Sequence, residues 1–254
     1  MSMQDIASYS PAADLLHGRV ILVTGAGAGI GATAARTFAA HGATVILLGR
    51  TVRKLEKVYD EIESAGHPQP AIYPMNLEGA KPEDYEDLAK TIDKEFGRLD
   101  GLLHNAALLG TLSPLELYDL KTWSRVLHVN LNAPFLMTRA CLGVLKNSND
   151  ASVVFTSSAV GRHGRAYWGA YAISKAADEN LMQIFADELE TNTPIRVNSI
   201  DPGAVRTEMR ARAYPGEEPH TVTAPEEIMN AYLYLMGPES KGTTGQQFNA
   251  QGGR

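Results

Sequence analysis

The sequence contains almost no cysteine, carries no excess of positive charge and lacks a long hydrophobic run. Cys141 is the only cysteine in 254 residues, so no intramolecular disulfide or cysteine-built metal site can form, and we expect a reducing, cytoplasmic compartment. The formal charge of −6 argues against a nucleic-acid or anionic-membrane partner. Residues 1–19 lack the pattern of a secretory signal, and the uncharged stretch 20–35 is rich in glycine and too short to cross a bilayer.

Short aliphatic runs alternate along the chain with segments of helical periodicity. The predicted strands are 20–23, 44–48, 71–73, a fourth beginning at 102, 152–155, 195–200 and 246–248. The predicted helices are 32–40, 53–65, 82–96, 123–142, 171–189 and 225–236. Because such alternation implies right-handed parallel crossovers, we expect an α/β protein with one doubly wound (Rossmann) domain: a parallel sheet of about seven strands with helices on both faces. We assign residues 1–17 to an N-terminal extension and 18–254 to this domain.

A glycine-rich turn joins the first predicted strand to the first predicted helix. Glycines in such a turn let a pyrophosphate approach the backbone, and the following helix N-terminus presents free N–H groups to that anion. The turn therefore predicts dinucleotide binding, with tight strand–helix packing as the purely structural alternative. The candidate residues are Thr24, Gly25, Gly27, Ala28, Gly29, Ile30 and Gly31.

A second group of residues has the types required for acid–base chemistry. Tyr171 and Lys175 are four residues apart, so they share one face of the predicted helix. We expect the ammonium to lower the phenol pKa toward the working pH. Ser158, at the end of the fifth predicted strand, has a hydroxyl suited to orienting a carbonyl. Taken singly, a helical tyrosine, a lysine and a serine of this kind more often serve packing or solvation than chemistry. Their combination with the glycine turn favours a catalytic role.

These motifs together resemble the short-chain dehydrogenase/reductase family, in its single-domain branch. The glycine spacing G-x-x-x-G-x-G after Thr24, Ser158 and the Tyr171-x-x-x-Lys175 pair carry the resemblance. It implies NAD or NADP binding and the oxidation of alcohols or reduction of carbonyls. Asn130, in a Val-Asn-Leu segment, then matches the family asparagine that holds a water linking the lysine to solvent. The neighbouring Asn132 is the less favoured candidate.

Further segments extend the resemblance over nearly the whole chain. By analogy with the family, residues 105–107 lie beside the adenosine ribose, 76–77 border the adenine and 202–207 contact the nicotinamide amide. The residues concerned are Asn76, Leu77, Asn105, Ala106, Ala107, Pro202, Gly203, Val205 and Thr207, with Tyr171 and Lys175 also touching the coenzyme. Ala107 replaces the usual glycine, and Asn76 stands where an aspartate is common. The sequence around 155–175 and the ending at 248–254 resemble most closely the YciK-like group of bacterial oxidoreductases.

The end of the second predicted strand bears on the choice of coenzyme. An acidic residue there would accept a hydrogen bond from the ribose of NAD, whereas Arg50 suits the 2′-phosphate of NADP. Arg53 and Lys54 follow closely. The alternative is that these cationic side chains lie at the start of a solvent-exposed helix and bind no ligand. We therefore favour NADP(H) and keep NAD(H) possible.

The expected function is an NADP(H)-dependent oxidoreductase that interconverts a carbonyl and an alcohol, with Tyr171 as general acid and base. The competing interpretations are a lyase or epimerase of the longer branch of the superfamily and a non-catalytic, dinucleotide-binding regulator. No metal site is expected, because the seven histidines show no ligand spacing. We expect a small carbonyl or alcohol substrate and a homodimer or homotetramer.

Three loops are expected to form the walls of the substrate site. One is apolar through Leu108, Leu109, Leu112 and Leu115, and one is basic and aromatic through Arg162, Arg165, Tyr167 and Trp168. The third, 206–214, is expected to act as a mobile lid with Arg210 and Arg212. These loops suit a substrate with an apolar body and an anionic or polar end, although surface arginines are usually just solvated.

Overall fold

A seven-stranded, all-parallel sheet forms the centre of the molecule, in the order β3-β2-β1-β4-β5-β6-β7. The computed structural model describes residues 6–252. The strands are β1 (Val20–Thr24), β2 (Thr44–Gly49), β3 (Ala71–Pro74), β4 (Gly101–His104), β5 (Ser152–Thr156), β6 (Arg196–Asp201) and β7 (Gln247–Asn249). The predicted doubly wound α/β architecture is confirmed. The crossovers run one way from β1 to β3 and the other way from β4, so the switch point lies between β1 and β4.

Helices cover both faces of the sheet. They are α1 (Gly29–Ala40), α2 (Val52–Ser64), α3 (Pro82–Phe96), α4 (Leu120–Leu127), α5 (Ala133–Lys146), α6 (Ala159–Arg162), α7 (Gly169–Glu190), α8 (Glu208–Ala213) and α9 (Met229–Met236). Among residues 6–252, no helix combines the length and apolar composition that crossing a bilayer requires.

The uninterrupted apolar runs of the strands follow from burial on both faces. Along β1, Ile21 and Val23 belong to the core cluster under α1, α2 and α9, whereas Leu22 belongs to the cluster under α3, α5 and α7. Successive side chains of a strand point to opposite faces, so each central strand contributes side chains to both hydrophobic cores. Every residue of β1 is buried.

Several elements differ in detail from the prediction. The segment predicted as one helix over 123–142 consists of α4, a π-helical turn at His128–Asn132 and α5. The last predicted helix begins as a 3-10 turn at Pro225–Ile228, with Pro225 at its first position, where no N–H is needed. The short helices α6 and α8 were not predicted, since too few residues are involved to produce a periodic pattern.

The N-terminal segment packs against the domain. Ile6 and Leu16 are fully buried in the cluster that includes α9, and the rings of Tyr9 and Tyr234 lie 5.4 Å apart in an edge-on arrangement. The division of the chain at residue 17 stays a prediction. Residues 1–5 of the predicted extension and residues 253–254 of the predicted domain lie outside the described residues.

Candidate active site

The predicted site residues gather at the carboxyl edge of the sheet, around the switch point. The glycine turn leaves β1 there, with positive φ angles of 68° at Gly25 and 53° at Gly29. Side chains with a Cβ rarely adopt such angles, so glycine is strongly favoured at both positions. No side chain caps the start of α1 at Ala28. Its first N–H groups therefore remain available for an anion.

Gly31 shows how closely the turn is packed. A Cβ at this position would overlap the carbonyl oxygen of Gly25 and lie 2.6 Å from Nδ2 of Asn105. The loop after β4 is fixed to the same turn by Thr24, whose hydroxyl accepts hydrogen bonds from the N–H groups of Asn105 (2.9 Å) and Ala106 (3.0 Å). The turn thus brings backbone N–H groups that no side chain caps to a position where a pyrophosphate group could approach them.

The loop after β6 closes over the other side of the glycine turn. A Cβ on Gly29 would lie 3.3 Å from Cγ2 of Thr207, so these two predicted residues are neighbours although 178 positions separate them. Gln251, which the sequence did not single out, donates hydrogen bonds to the carbonyl oxygens of Pro202 (3.0 Å) and Ala204 (2.8 Å). The chain end thereby holds the loop that includes the buried Val205.

Arg50 lies at the end of β2 with its guanidinium largely exposed. It forms an ion pair with Glu78 (3.0 Å), and Glu78 also pairs with Arg125 on α4 (2.8 Å). Asn76, next to the buried Leu77, accepts a hydrogen bond from the Glu78 backbone at 3.3 Å. An anion at this edge would therefore find two arginines that already share one carboxylate. Glu78 is a residue that the sequence reasoning missed.

Ser158, Tyr171 and Lys175 come together where β5 and α7 meet. β5 ends at Thr156, so Ser158 is the residue that precedes α6 and not, as predicted, the strand end. The Ser158 side chain is close enough to the phenol of Tyr171 to favour its ionised form. Tyr171 and Lys175 are only 8% and 4% exposed, and Lys175 Nζ donates to the carbonyl oxygen of Thr156 at 2.8 Å. A phenol, a hydroxyl and an ammonium thus lie together, with the phenol and the ammonium largely shielded from solvent.

The electrostatics of Tyr171 correct one expectation. Burial raises the pKa of its phenol above the ordinary value, while the charge of Lys175 and the nearby Ser158 side chain lower it without reversing the shift. The predicted net lowering is therefore wrong for the protein without ligands, because desolvation of the phenolate outweighs the neighbouring ammonium. Burial also opposes the charge on Lys175, but Asp178 and Tyr171 raise its pKa overall.

Asn130 is fully buried and its side chain is occupied by protein partners. Its Oδ1 accepts from the N–H of Leu108 (2.7 Å), and its Nδ2 donates to the Leu108 carbonyl oxygen (3.0 Å) and the Ser174 hydroxyl (3.0 Å). Asn130 therefore connects the loop after β4 to α7. Its predicted part in a water relay to Lys175 stays a prediction.

Arg162 does not line the substrate site, contrary to expectation. Its guanidinium points into the protein, where it pairs with Glu179 (3.3 Å) and donates to Oδ1 of Asn249 (2.7 Å). Glu179 in turn accepts a hydrogen bond of 2.5 Å from Ser199. This cluster joins α6, α7 and the last two strands of the sheet. The polar character of Arg162 alone suggested a surface position, whereas the fold turns its guanidinium inward and leaves the side chain 19% exposed.

Aromatic and basic side chains do gather at the mouth of the site. The ring of Trp168 lies 5.9 Å from both Tyr171 and Tyr214. Arg165 donates to the Tyr214 hydroxyl at 2.8 Å, and Arg210 stacks on the Tyr214 ring at 3.8 Å. Arg210 is also held by Glu217 through two hydrogen bonds of 2.6 Å. The predicted lid segment is thus attached to the aromatic wall and contains α8.

Comparison with known proteins places the chain in a family. The family model described as short chain dehydrogenase matches residues 19–218. The chain belongs to the short-chain dehydrogenase family and so to the oxidoreductases, as its motifs predicted. Within residues 6–252, no three His, Cys, Asp or Glu side chains are grouped so as to hold a metal ion.

Individual relatives agree with this assignment. The uncharacterized oxidoreductase YciK of Escherichia coli K12 is 49% identical over 246 residues, which cover 97% of both chains. A solved structure of a short chain dehydrogenase from Pseudomonas syringae is 60% identical, covers 96% of this chain and 98% of its own, and has a TM-score of 0.94. A short chain dehydrogenase from Escherichia coli CFT073, solved in complex with NADPH, is 49% identical with a TM-score of 0.92, covering 95% and 100%. The resemblance to the YciK-like group is confirmed.

Proposed function

We propose that this protein is an NADP(H)-dependent oxidoreductase that interconverts a carbonyl and an alcohol, with Tyr171 as the general acid and base. The observation that carries the proposal is the position of the buried Tyr171–Lys175 pair. It lies with Ser158 at the same sheet edge where the uncapped glycine turn can hold a dinucleotide.

The chain's own residues fit a dinucleotide. The turn from Thr24 to Gly31 would hold the pyrophosphate, residues 105–107 and 76–77 the adenosine, and residues 202–207 the nicotinamide end. When bound, the coenzyme supplies or accepts the hydride. Arg50, exposed at the end of β2, favours a 2′-phosphate and thus NADP(H) over NAD(H). The NADPH complex of the Escherichia coli relative supports the same choice.

Ser158, Tyr171 and Lys175 carry out the proton transfer. In reduction, Ser158 and the phenol donate hydrogen bonds to the carbonyl oxygen, and Tyr171 transfers its proton as the alkoxide forms. Its raised pKa keeps the phenol protonated at neutral pH, which suits an acid. Lys175 stabilises the resulting phenolate, and oxidation reverses each step. Asn130 holds the neighbouring loop against α7.

The mouth of the site favours a substrate with an apolar or aromatic body. The ring of Trp168 lies between those of Tyr171 and Tyr214, so three aromatic side chains line this part of the site. Arg210 is already paired with Glu217, so it is a poor candidate for recognising an anionic group. Arg212 is exposed and forms no ion pair among residues 6–252. It remains the better candidate for a polar or anionic end.

We further propose a homodimer or homotetramer built on α5 and α7. Both helices expose large apolar side chains, Phe135 at 42%, Ile173 at 45% and Ile184 at 48%. Exposed apolar groups on adjacent long helices are typical of a subunit interface. Light scattering checks this directly, and a monomer at micromolar concentration contradicts it.

The function is tested by following NADPH absorbance with a panel of aldehydes and ketones. For wild type, we expect turnover of at least one apolar carbonyl. For Tyr171→Phe, we expect kcat to fall by about 10²–10⁴-fold, because a positioned general acid contributes that much. Tyr85→Phe is the matched control, since Tyr85 is also a buried helical tyrosine whose hydroxyl has no hydrogen-bond partner among the described residues.

Two results would contradict the proposal. Near-normal turnover by the Tyr171→Phe variant would remove Tyr171 from the mechanism. NADPH binding without turnover of any carbonyl or alcohol would instead favour the regulatory, non-catalytic interpretation.

A further inference from the structure

A buried carboxylate contacts Lys175 on the same face of α7. Oδ2 of Asp178 accepts a hydrogen bond from Lys175 Nζ at 3.0 Å, and the residue is only 2% exposed. Its other oxygen, Oδ1, is buried without a hydrogen-bond partner among the residues that the structure describes. A carboxylate is costly to bury, and one with an unpartnered oxygen more so. Asp178 therefore calls for an explanation beyond packing.

The contact restricts what Lys175 can do. An ammonium has three N–H donors. Two are used inside the protein, on the Thr156 carbonyl oxygen (2.8 Å) and on Asp178 (3.0 Å). One donor is left for the phenol or a ligand. The direction of the ammonium is thus fixed by two partners that do not belong to the reacting groups.

Other charged and titratable groups surround the Lys175–Asp178 pair. They are Tyr171 and Glu179 on α7, His104 on β4, Arg162 on α6 and Asp201 on β6. Arg162 is paired with Glu179, which separates that cation from Lys175. His104 is neutral, because burial and the charge of Lys175 lower its pKa to about 3. Asp178 is therefore the carboxylate in direct contact with Lys175.

We infer that Asp178 is a positioning residue for the proposed reaction: it holds the Lys175 ammonium in place and limits how strongly that charge acts on the Tyr171 phenol. The inference rests on the proposed function for its second part. The three side chains form a line along one helix face, at i, i+4 and i+7, with the cation between the phenol and the carboxylate.

The charges act on the phenol in opposite directions. Beside the larger effect of burial, Lys175 lowers the pKa of Tyr171 and Asp178 raises it. Removing the charge of Asp178 should therefore make the phenol more acidic as long as Lys175 stays protonated. A residue that only filled space would not have this effect.

The carboxyl group of Asp178 also makes the stability of the protein depend on pH. Burial raises its pKa to about 6, although Lys175 opposes the shift. A folded-state pKa above the unfolded value means that ionisation costs stability, so wild type should lose stability as pH rises from about 4 through 6. An asparagine at this position keeps the shape and a hydrogen-bond acceptor for Lys175, and it does not titrate.

The experiment compares wild type with Asp178→Asn and Asp178→Ser. First, the unfolding temperature Tm of each protein is measured without ligands between pH 4 and 8. We expect the Tm of both variants, relative to wild type, to rise as the pH increases from about 4 to 6 and to level off above that. Second, the pH dependence of kcat/KM is measured for alcohol oxidation. We expect the acid limb of Asp178→Asn to lie about half to one pH unit lower than that of wild type. In Asp178→Ser, which cannot hold Lys175 equally well, kcat should fall about tenfold with a smaller change in KM.

Glu179→Gln is the matched control, because it removes the same charge one residue further along from a carboxylate that pairs with Arg162. We expect it to keep the acid limb of wild type. Tm curves of wild type and both Asp178 variants that run parallel from pH 4 to 8 would overturn the inference, whether or not turnover is found. An unmoved acid limb in Asp178→Asn would also overturn it. A pH-dependent Tm difference without any turnover would support the ion pair and contradict the proposed function instead.

Discussion

Gly31 offers the most direct test of how the glycine turn is built. Its φ angle is not positive, unlike those of Gly25 and Gly29, so alanine can adopt the backbone conformation without strain. The obstacle is the lack of space for the methyl group of alanine. The new Cβ would overlap the Gly25 carbonyl oxygen and approach Nδ2 of Asn105 to 2.6 Å. Nδ2 is itself held by the Thr24 carbonyl oxygen at 3.2 Å, so neither neighbour can rotate away.

The magnitude follows from two opposing contributions. Inserting a methyl group into a packed site costs about 1–3 kcal/mol, and fixed neighbours argue for the upper end. Alanine in place of glycine in a helix returns about 1 kcal/mol. The net loss for Gly31→Ala is therefore about 2 kcal/mol in the free energy of unfolding. In a chain of this size, that corresponds to a Tm lower by about 4–8 °C.

Differential scanning calorimetry and NADPH fluorescence measure the two consequences. We expect the lower Tm without ligand and an NADPH affinity reduced about tenfold or more, because moving Gly25 disturbs the turn proposed to hold the pyrophosphate. Gly143→Ala is the matched control. Gly143 lies in α5 and is exposed, with no atom within 4 Å of a new Cβ, so its Tm should rise by about 2–4 °C.

Two outcomes would contradict the close packing of Gly31. If Gly31→Ala kept the Tm and the NADPH affinity of wild type, the turn could not be as closely packed as described. If Gly143→Ala were destabilised to the same degree as Gly31→Ala, the loss would belong to helical glycines in general and not to the contact with Gly25.

Four further predictions concern charge and pH. Glu78→Gln should release Arg50 from its ion pair and tighten NADPH binding several-fold without changing NADH binding; equal changes for both coenzymes would contradict this. Burial raises the pKa of Tyr171, so the rate of oxidation should climb through alkaline pH, and a maximum already at pH 7 would argue otherwise. Burial raises the pKa of the Cys141 thiol to about 12, so a thiol reagent at pH 8 should react only after unfolding; immediate reaction would show an accessible thiol. Burial is the main cause that lowers the pKa of His104 to about 3, so stability should fall as pH drops below about 6.5, where the unfolded imidazole takes up a proton. His104→Asn should flatten this decline, and an unchanged slope would assign it to other groups.

The sequence identified the parts of the site that depend on local spacing. Tyr171 and Lys175 share a helix face because of the helical repeat, and the glycine turn follows a strand because apolar runs and glycines mark that junction. The all-parallel sheet follows from the alternation of strand and helix. In each case, the signal lies within a window of about ten to twenty residues.

No local sequence pattern indicates the contacts between segments that are distant along the chain. Arg50, Glu78 and Arg125 meet although the ion pairs join residues 28 and 47 positions apart. Gln251 reaches Pro202 across 49 positions. These pairings depend on which strand ends lie side by side, and hydrophobic periodicity carries no information on individual polar partners.

Asp178 combines a local spacing, which the sequence contains, with a burial that only the fold produces. It was not singled out from the sequence, because an acidic residue three positions after a lysine in a helix is usually part of a pair on the helix surface. Burial to 2% turned this pair into a fixed contact with its own pKa.

The fold class could be inferred from the sequence, and the glycine turn and the Tyr171–Lys175 pair could be located in it, because short-range geometry and residue chemistry are enough for that. The direction of the Tyr171 pKa shift, the inward orientation of Arg162 and the contact of Lys175 with Asp178 emerged only from the folded protein. They depend on desolvation, since the free energy of a charge varies with how much water the whole fold removes from it.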